Sequence, residues 1–206
     1  MSPTPLVPPL GPHHVHVWRY TLDADPTLLD PLLAPDERRR AQRFLKPDLR
    51  RRFTVARGNM RRLLGAYTRT PADLVQLSYG SAGKPALVNS PLHFNLSHSK
   101  DLALLAIATG GPVGIDLERE RPIDVQGVGR RVFSEYELRL LAETPEHDQV
   151  PLFFRLWVRH EAQVKALGTT VGSDATVPVY DLPIDPPFHA ALATHIPTPR
   201  ITRFQL

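Results

Sequence analysis

The sequence predicts a mixed α+β protein, and three observations carry that prediction. Runs with period-two alternation recur from residues 13–20 to the tail, as half-buried strands require. Residues 32–64 repeat apolar side chains at helical spacing between arginines. Residues 152–168, LFFRLWVRHEAQVKALG, read as one longer amphipathic helix stopped by Gly168. With 206 residues, of which 42% are hydrophobic, the chain can build one large or two small domains around a real core.

Taken in order, HHVHVWRY (13–20) is the first strand, with His14 and His16 on one face. Two histidines without a third ligand read as solvated edge residues rather than a metal site. APDERRRAQRFL opens a helix with Pro and acidic residues in its first turn. LRRRFTVARGNMRRLLGAY follows Pro47, with Phe53, Val55, Met60, Leu63 and Leu64 as its buried stripe. Residues 74–79 form a short strand, and SAGKPAL is a turn holding Lys84 between Gly83 and Pro85. LHFNL (92–96) is a strand ending in Ser97-His98-Ser99. The apolar run 102–108 turns at Gly110-Gly111 into VGIDLE (113–118), giving two adjacent strands and their turn. Ser134 with Glu137 has the capping-box pattern for a helix over 134–142. In 152–168, Phe153, Leu156, Trp157, Val164 and Leu167 share one face, and Arg155, Arg159, Ala162 and Ala166 fall opposite. The tail holds strand-like TVPVYDL and HAALATH.

Charge is unevenly placed. Residues 1–110 hold 15 Lys+Arg against 8 Asp+Glu, and residues 111–206 hold 10 against 13, within a net +4. The surplus concentrates between Asp36 and Arg62, where ten Arg and one Lys face three acids. A solvated basic helix pair, a nucleic-acid surface and a pocket for a polyphosphate ligand all fit that surplus. Few aromatics are interleaved, which argues against a stacking platform for single strands. The absence of Cys excludes disulfide and thiolate chemistry. No apolar run is long enough to span a bilayer, and MSPTPLVPPLGPHH lacks a secretory pattern, so a cytoplasmic location is the expectation.

Two stretches carry chemistry. On a strand VGIDLE puts Ile115 and Leu117 on one face and Asp116 and Glu118 on the other, their backbones about 6.5–7 Å apart. Carboxylates are depleted in strands, so this pair implies an exposed sheet face or a cation, and hard oxygen ligands favour Mg²⁺ or Mn²⁺. On the helix, Glu161 and Lys165 stack on adjacent turns, which taken alone is a supporting i,i+4 ion pair. Ser97 and His98 point to opposite sides of an extended chain, so they suit phosphate contacts better than a nucleophile–base dyad.

The set HFNLSHS, GIDLE, FSEYE and LWVRHEAQVKALG, in this order and spacing, resembles the 4′-phosphopantetheinyl transferases in their longer, pseudo-dimeric type. APDERRRAQRF is similar to that family's N-terminal basic helix, GKP to its short turn and DLPIDPPFHAALATH to its closing strand. The resemblance implies an α+β fold of two similar α/β halves forming an intramolecular pseudo-dimer with the active site in the cleft between them. Residues 1–111 would be the basic, coenzyme A-gripping half and residues 112–206 the half with the metal-binding acids. It implies transfer of 4′-phosphopantetheine from coenzyme A to a serine of an acyl or peptidyl carrier protein, as in fatty acid, polyketide and nonribosomal peptide synthesis, with release of 3′,5′-ADP.

By the same resemblance Asp116 and Glu118 are Mg²⁺ ligands, with Mn²⁺ possible, and Glu161 is the third ligand and the base for the carrier serine. Lys165 contacts coenzyme A phosphates near the reacting centre, and Arg40, Lys84, Ser97 and His98 hold the 3′-phosphate or pyrophosphate. Glu137 matches an acid with no assigned role. A monomer with neither nucleic-acid nor membrane partners is expected. Two departures stand out: His160 occupies the place of the family's lysine before Glu161-Ala162, and the stretch between Gly168 and Asp181 is short. Arg159 or Lys165 would compensate for the lost charge. Otherwise the chain would be a weakened homologue that binds coenzyme A or carrier protein without efficient turnover.

Overall fold

The computed structural model describes residues 5–80, 83–168 and 177–206. Ser81 and Ala82 of the predicted turn, Thr176 of the tail strand and most of the short stretch after Gly168 lie outside the described residues.

The chain stacks four layers: helix, sheet, sheet, helix. The first sheet has the order β4-β5-β1-β9, built from β1 (His14–Thr21), β4 (His93–Ser99), β5 (Leu102–Ala108) and β9 (Arg200–Gln205). The second has the order β6-β8-β7, from β6 (Val113–Arg119), β7 (Val179–Asp181) and β8 (Phe188–Thr194). Period-two alternation distributes the apolar side chains. Ala103, Leu105 and Ile107 of β5 join Trp18 and Tyr20 against helix α2 (Pro47–Thr68), through Val55, Met60, Leu63 and Leu64. Leu102, Leu104, Ala106 and Ala108 face the other way, onto Ile115, Leu117 and Leu192 of the second sheet. The far face of that sheet, Ala191 and Ala193, meets Val158, Ala162 and Ala166 of α5 (Glu146–Leu167). Both faces of β5 are therefore covered, which is why it reads as an unbroken apolar run.

Smaller elements complete the fold: α1 (Pro35–Gln42), the β2–β3 pair (Leu77–Tyr79, Pro85–Leu87), α3 (Val125–Gly129) and α4 (Glu135–Glu143). The capping box forms at Ser134 as the sequence predicts. No helix among the described residues is long and apolar enough to cross a membrane.

Several expectations change. β5 and β6 are consecutive but do not pair as a hairpin; β5 pairs with β1 and β4, and β6 with β8. The Gly110-Gly111 link carries the chain from one sheet to the other, and Gly110 passes so close to Pro12 that a Cβ would lie 1.9 Å from its carbonyl oxygen. The strand expected over 74–79 is shorter, because Ala72–Leu74 is a 3₁₀ turn whose neighbourhood is pinned by Arg61 Nη1 donating to the carbonyls of Ala72 and Val75. One strand beyond those predicted, β9, pairs parallel with β1 in the first sheet. That leaves β1 internal, so His16 is buried rather than a solvated edge residue, with Nδ1 2.6 Å from the Tyr67 hydroxyl.

Helix α5 begins at Glu146, before Pro151, whose missing N–H costs one bond in an exposed turn. Its buried face also differs from the expected one. Ala162 and Ala166 are buried, while Val164 and Leu167 are only partly so. At this level β6 comes within backbone distance of the helix, and only small side chains fit.

The basic helices divide their arginines between structure and surface. Glu37, buried at 3% exposure, accepts from Arg57 Nε at 2.7 Å, Arg61 Nε at 2.5 Å and the Ala34 N–H at 2.9 Å. Arg51 and Arg52 both bind Asp23. Four of the ten arginines thus fasten α2 to its surroundings. Arg40 lies over the Phe53 ring at 5.4 Å.

Candidate active site

The site forms where edge strand β6 lies between β4 of the other sheet and helix α5. Ile115 and Leu117 point into the interior, so Asp116 and Glu118 point to the α5 side, as the alternation predicts. Gly114 sets the distance to the helix. A Cβ there would stand 2.1 Å from the Ala162 carbonyl oxygen and 2.3 Å from the Ala166 nitrogen. This close approach brings Lys165, one residue before Ala166, onto Asp116.

On its other side β6 is held by side chains rather than by a backbone ladder. Asn95 Oδ1 accepts the Ile115 N–H at 2.8 Å, Ser97 Oγ that of Leu117 at 3.3 Å and Ser99 Oγ that of Arg119 at 3.1 Å. The two hydroxyls then donate to the acids. Ser97 Oγ donates to Asp116 Oδ1 at 2.8 Å, and Ser99 Oγ to Glu118 Oε2 at 2.9 Å.

Asp116 is 4% exposed, and its Oδ1 also accepts from Lys165 Nζ at 2.5 Å. Among the described residues its Oδ2 is buried with no hydrogen-bond partner. An orphaned buried carboxylate oxygen is costly unless something binds it. Lys165 Nζ also donates to Ser97 Oγ at 3.2 Å. Glu118 Oε2 accepts a second bond, 3.0 Å from Arg121 Nη1, and the Arg121 guanidinium lies over Phe154 at 5.0 Å. Glu161 has no hydrogen bond or ion pair among the described residues. Partial burial and then the negative charges of Asp116 and Glu118 raise its pKa above the ordinary value, against the opposing pull of Lys165. The i,i+4 pair with Lys165 does not form, because Lys165 turns to Asp116.

The structure therefore joins Ser97, Asp116 and Lys165 by hydrogen bonds, with Glu118 two residues further along β6 and Glu161 one turn before Lys165 on α5. His98 lies on the opposite side of β4 from Ser97, and its pKa is lowered by partial desolvation and then by the positive charges of Lys165 and Arg40. Lys84 has a different position. Its ammonium donates to the Val113 carbonyl at 3.0 Å and, by a short bond, to the Lys165 carbonyl, tying the end of α5 to β6. Desolvation lowers its pKa. The side chain also lines a cleft of about 380 Å³ with Tyr79, His93, Phe94 and Gly168.

The departure at His160 is absorbed locally. Its Nε2 lies 2.8 Å from Glu137 Oε1, its ring leans on Phe133 at 5.4 Å, and Glu137 also accepts from the Ser134 backbone and hydroxyl. Arg159 does not compensate for the missing lysine; with Arg155 it binds Asp181. Sequence reasoning missed Ser99, Arg121 and Asn95. Strand alternation was the available signal for Asn95 and Ser99, which share a face with Ser97.

Among the described residues no three His, Cys, Asp or Glu side chains stand together as a ready-made metal cluster. The donor set nevertheless fits Mg²⁺, which is bound through one or two carboxylates and completed by water and substrate phosphates. Asp116 Oδ2 is the oxygen that such an ion would satisfy.

Comparison with known proteins agrees with this geometry. The family described as the 4′-phosphopantetheinyl transferase superfamily matches residues 112–200, and the one described as 4′-phosphopantetheinyl transferase, N-terminal, matches residues 18–110. The 4′-phosphopantetheinyl transferase HetI of Nostoc sp. is 39% identical over 180 residues, covering 84% of this chain and 76% of that protein. The 4′-phosphopantetheinyl transferase AcpT of Salmonella typhi is 41% identical over 118 residues, 54% of this chain and 61% of the relative. The 4′-phosphopantetheinyl transferase psf-1 of Bacillus pumilus is 33% identical over 141 residues, 68% and 60% of the two chains. With both halves of the chain matched and Lys165 of the helix motif brought onto Asp116 of the strand motif, the chain belongs to the 4′-phosphopantetheinyl transferase superfamily.

Proposed function

We propose that the chain transfers 4′-phosphopantetheine from coenzyme A to a serine hydroxyl of an acyl or peptidyl carrier protein, releasing 3′,5′-ADP, and that the junction of its two halves is the active site. The observation that carries this reading is the Asp116–Lys165–Ser97 cluster, in which, among the described residues, the buried Asp116 Oδ2 has no partner and the nearby Glu161 no ion pair. Two helix-on-sheet halves meeting at this cluster support the pseudo-dimer reading. The neighbouring cleft of about 380 Å³ offers space for the nucleotide.

Asp116, Glu118 and Glu161 would hold Mg²⁺, or Mn²⁺ in its place. When bound, the ion supplies Lewis-acid neutralisation of charge on the transferring phosphate. The chain's own groups do the rest. Lys165 is close enough to Asp116 to serve as a cation for either the carboxylate or an incoming phosphate, and phosphate binding would draw it from one to the other. His98 and Arg40 would serve as further phosphate donors. Glu161, with its raised pKa and free carboxylate, takes the proton from the serine hydroxyl as that oxygen attacks phosphorus, and the 5′-phosphate oxygen of 3′,5′-ADP leaves. Lys84 keeps one of its three ammonium hydrogens for a phosphate beside its two carbonyl bonds, whereas the single hydrogen of Ser97 is given to Asp116. Exposed arginines of α1 would steer an acidic carrier surface. A homologue without turnover is not favoured, since Glu137 accommodates His160.

The test is the intact mass of an apo carrier protein incubated with the chain, coenzyme A and Mg²⁺. The reading predicts a gain of one phosphopantetheine. No adduct on any of several acyl and peptidyl carriers would overturn it.

A further inference from the structure

The two hydroxyls that reach the acids from the other half have no role in the transferase reading above. Their placement follows a rule. Strands β4 and β6 advance in the same sense, so Asn95, Ser97 and Ser99 meet the N–H groups of Ile115, Leu117 and Arg119 in step. A serine hydroxyl has one hydrogen to donate and two lone pairs. The N–H of β6 takes a lone pair, and the hydrogen is left for the side chain one residue earlier on β6. At Leu117 that neighbour is Asp116, and at Arg119 it is Glu118. At Ile115 the neighbour is Gly114, which has no side chain, and there β4 carries Asn95 instead. The hydroxyls thus occur where β6 presents a carboxylate.

The bonds on the acids are also one-sided. Both Ser97 and Lys165 bind Oδ1 of Asp116, leaving Oδ2 unpartnered, and both Ser99 and Arg121 bind Oε2 of Glu118. Ser97 Oγ makes one donation and two acceptances, its full complement, so it has no hydrogen for a phosphate. We propose that Ser97 and Ser99 are positioning residues that fix one oxygen of each acid and so present Asp116 Oδ2 and Glu118 Oε1 to a divalent cation. This rests on the transferase reading and assigns the serines to the cation side of the site rather than to coenzyme A.

The test uses the purified full chain and Mn²⁺ alone, titrated calorimetrically, beside steady-state kinetics with coenzyme A and a carrier protein. Ser99→Ala should weaken Mn²⁺ binding about tenfold or more and lower kcat, with the KM for coenzyme A held within about twofold. Ser99→Thr, which keeps the hydroxyl, should recover most of both. Ser97→Ala should follow the same pattern. Unchanged Mn²⁺ affinity and kcat in Ser99→Ala would overturn the proposal. So would a rise of about tenfold in the KM for coenzyme A with Mn²⁺ affinity intact, the signature of a phosphate contact. If the alanine variant melts early, Ser99→Thr against Ser99→Val decides, since the two side chains share a shape and differ in the hydroxyl; equal Mn²⁺ affinities would sink the idea. Should the wild-type chain take up no Mn²⁺, the metal assignment of the transferase reading fails. The positioning role, which needs a cation to act on, then falls with it, whereas intact Mn²⁺ binding in both wild type and Ser99→Ala overturns the positioning role alone.

Discussion

Gly114→Ala is the smallest change that tests how the site is assembled. The added Cβ would sit 2.1 Å from the Ala162 carbonyl oxygen and 2.3 Å from the Ala166 nitrogen. Ordinary contact is about 3.5 Å, so α5 and β6 must separate by an ångström or more. Both obstructing atoms are backbone, so no rotamer change relieves the clash, and trimming Ala162 to glycine would not help. Overpacking of this kind costs about 1–3 kcal/mol, or roughly 3–10 °C in Tm for a chain of this size. The functional cost should be larger than the structural one. Lys165 and Glu161 ride on the displaced helix, while Asp116 and Glu118 stay on the strand. A misplacement of about 1 Å can lower a rate by about a hundredfold. Thermal melting followed by carrier-modification kinetics at a temperature where the variant is folded would separate the two effects. Melting and kcat both within error of wild type would refute the close-packed junction as the device that positions Lys165.

Further outcomes follow from individual groups. Glu37→Gln leaves the buried Arg61 charge without its anion, and breaking a buried pair costs about 3–5 kcal/mol, so Tm should fall by about 10 °C or more; a shift under about 2 °C would show that Glu37 is not the anchor of α2. Burial and then the neighbouring His14 push the His16 pKa down to about 4, from an ordinary value of 6.5. A depressed folded-state pKa means that its contribution is complete above the unfolded value and is lost as pH falls toward the folded one. The full loss across that window is about 3 kcal/mol, read as a drop in urea midpoint between pH 7.5 and 4.5 that a His16→Gln variant lacks; equal slopes in both proteins would contradict it. Glu161→Gln should cut kcat by about a hundredfold or more while barely moving the KM for coenzyme A, and should abolish an acidic limb lying above the usual carboxylate range. Persistence of that limb in the variant would assign it to another group.

Much of this fold was legible because the alternations are clean. β5 reads as a doubly buried strand, and VGIDLE reveals its two faces without a structure. What escaped was the arrangement between elements. Nothing local says that the Gly110-Gly111 link crosses between sheets rather than closing a hairpin, because that depends on which strands β6 meets later in the chain. β9 escaped because Arg200–Gln205 is short and only partly buried, at the sheet edge. On α5 the helical wheel misjudged Ala162 and Ala166, since a wheel ranks faces by hydrophobicity and this contact is decided by size. The motifs name the acids, Lys165 and His98, but not the bonds that Ser97 and Lys84 make inside the protein. Their partners lie 19 or more residues away in sequence, and only the fold supplies them.

The central claim is that the cluster around Asp116 is where phosphopantetheine transfer occurs. Its most direct test compares wild type and Asp116→Ala by the intact mass of a carrier protein incubated with coenzyme A and Mg²⁺, after circular dichroism has shown that the variant is folded. The account predicts that wild type converts the carrier, that removing Mg²⁺ with a chelator abolishes conversion, and that the folded variant leaves the carrier unmodified. Conversion by Asp116→Ala at the wild-type rate would contradict it.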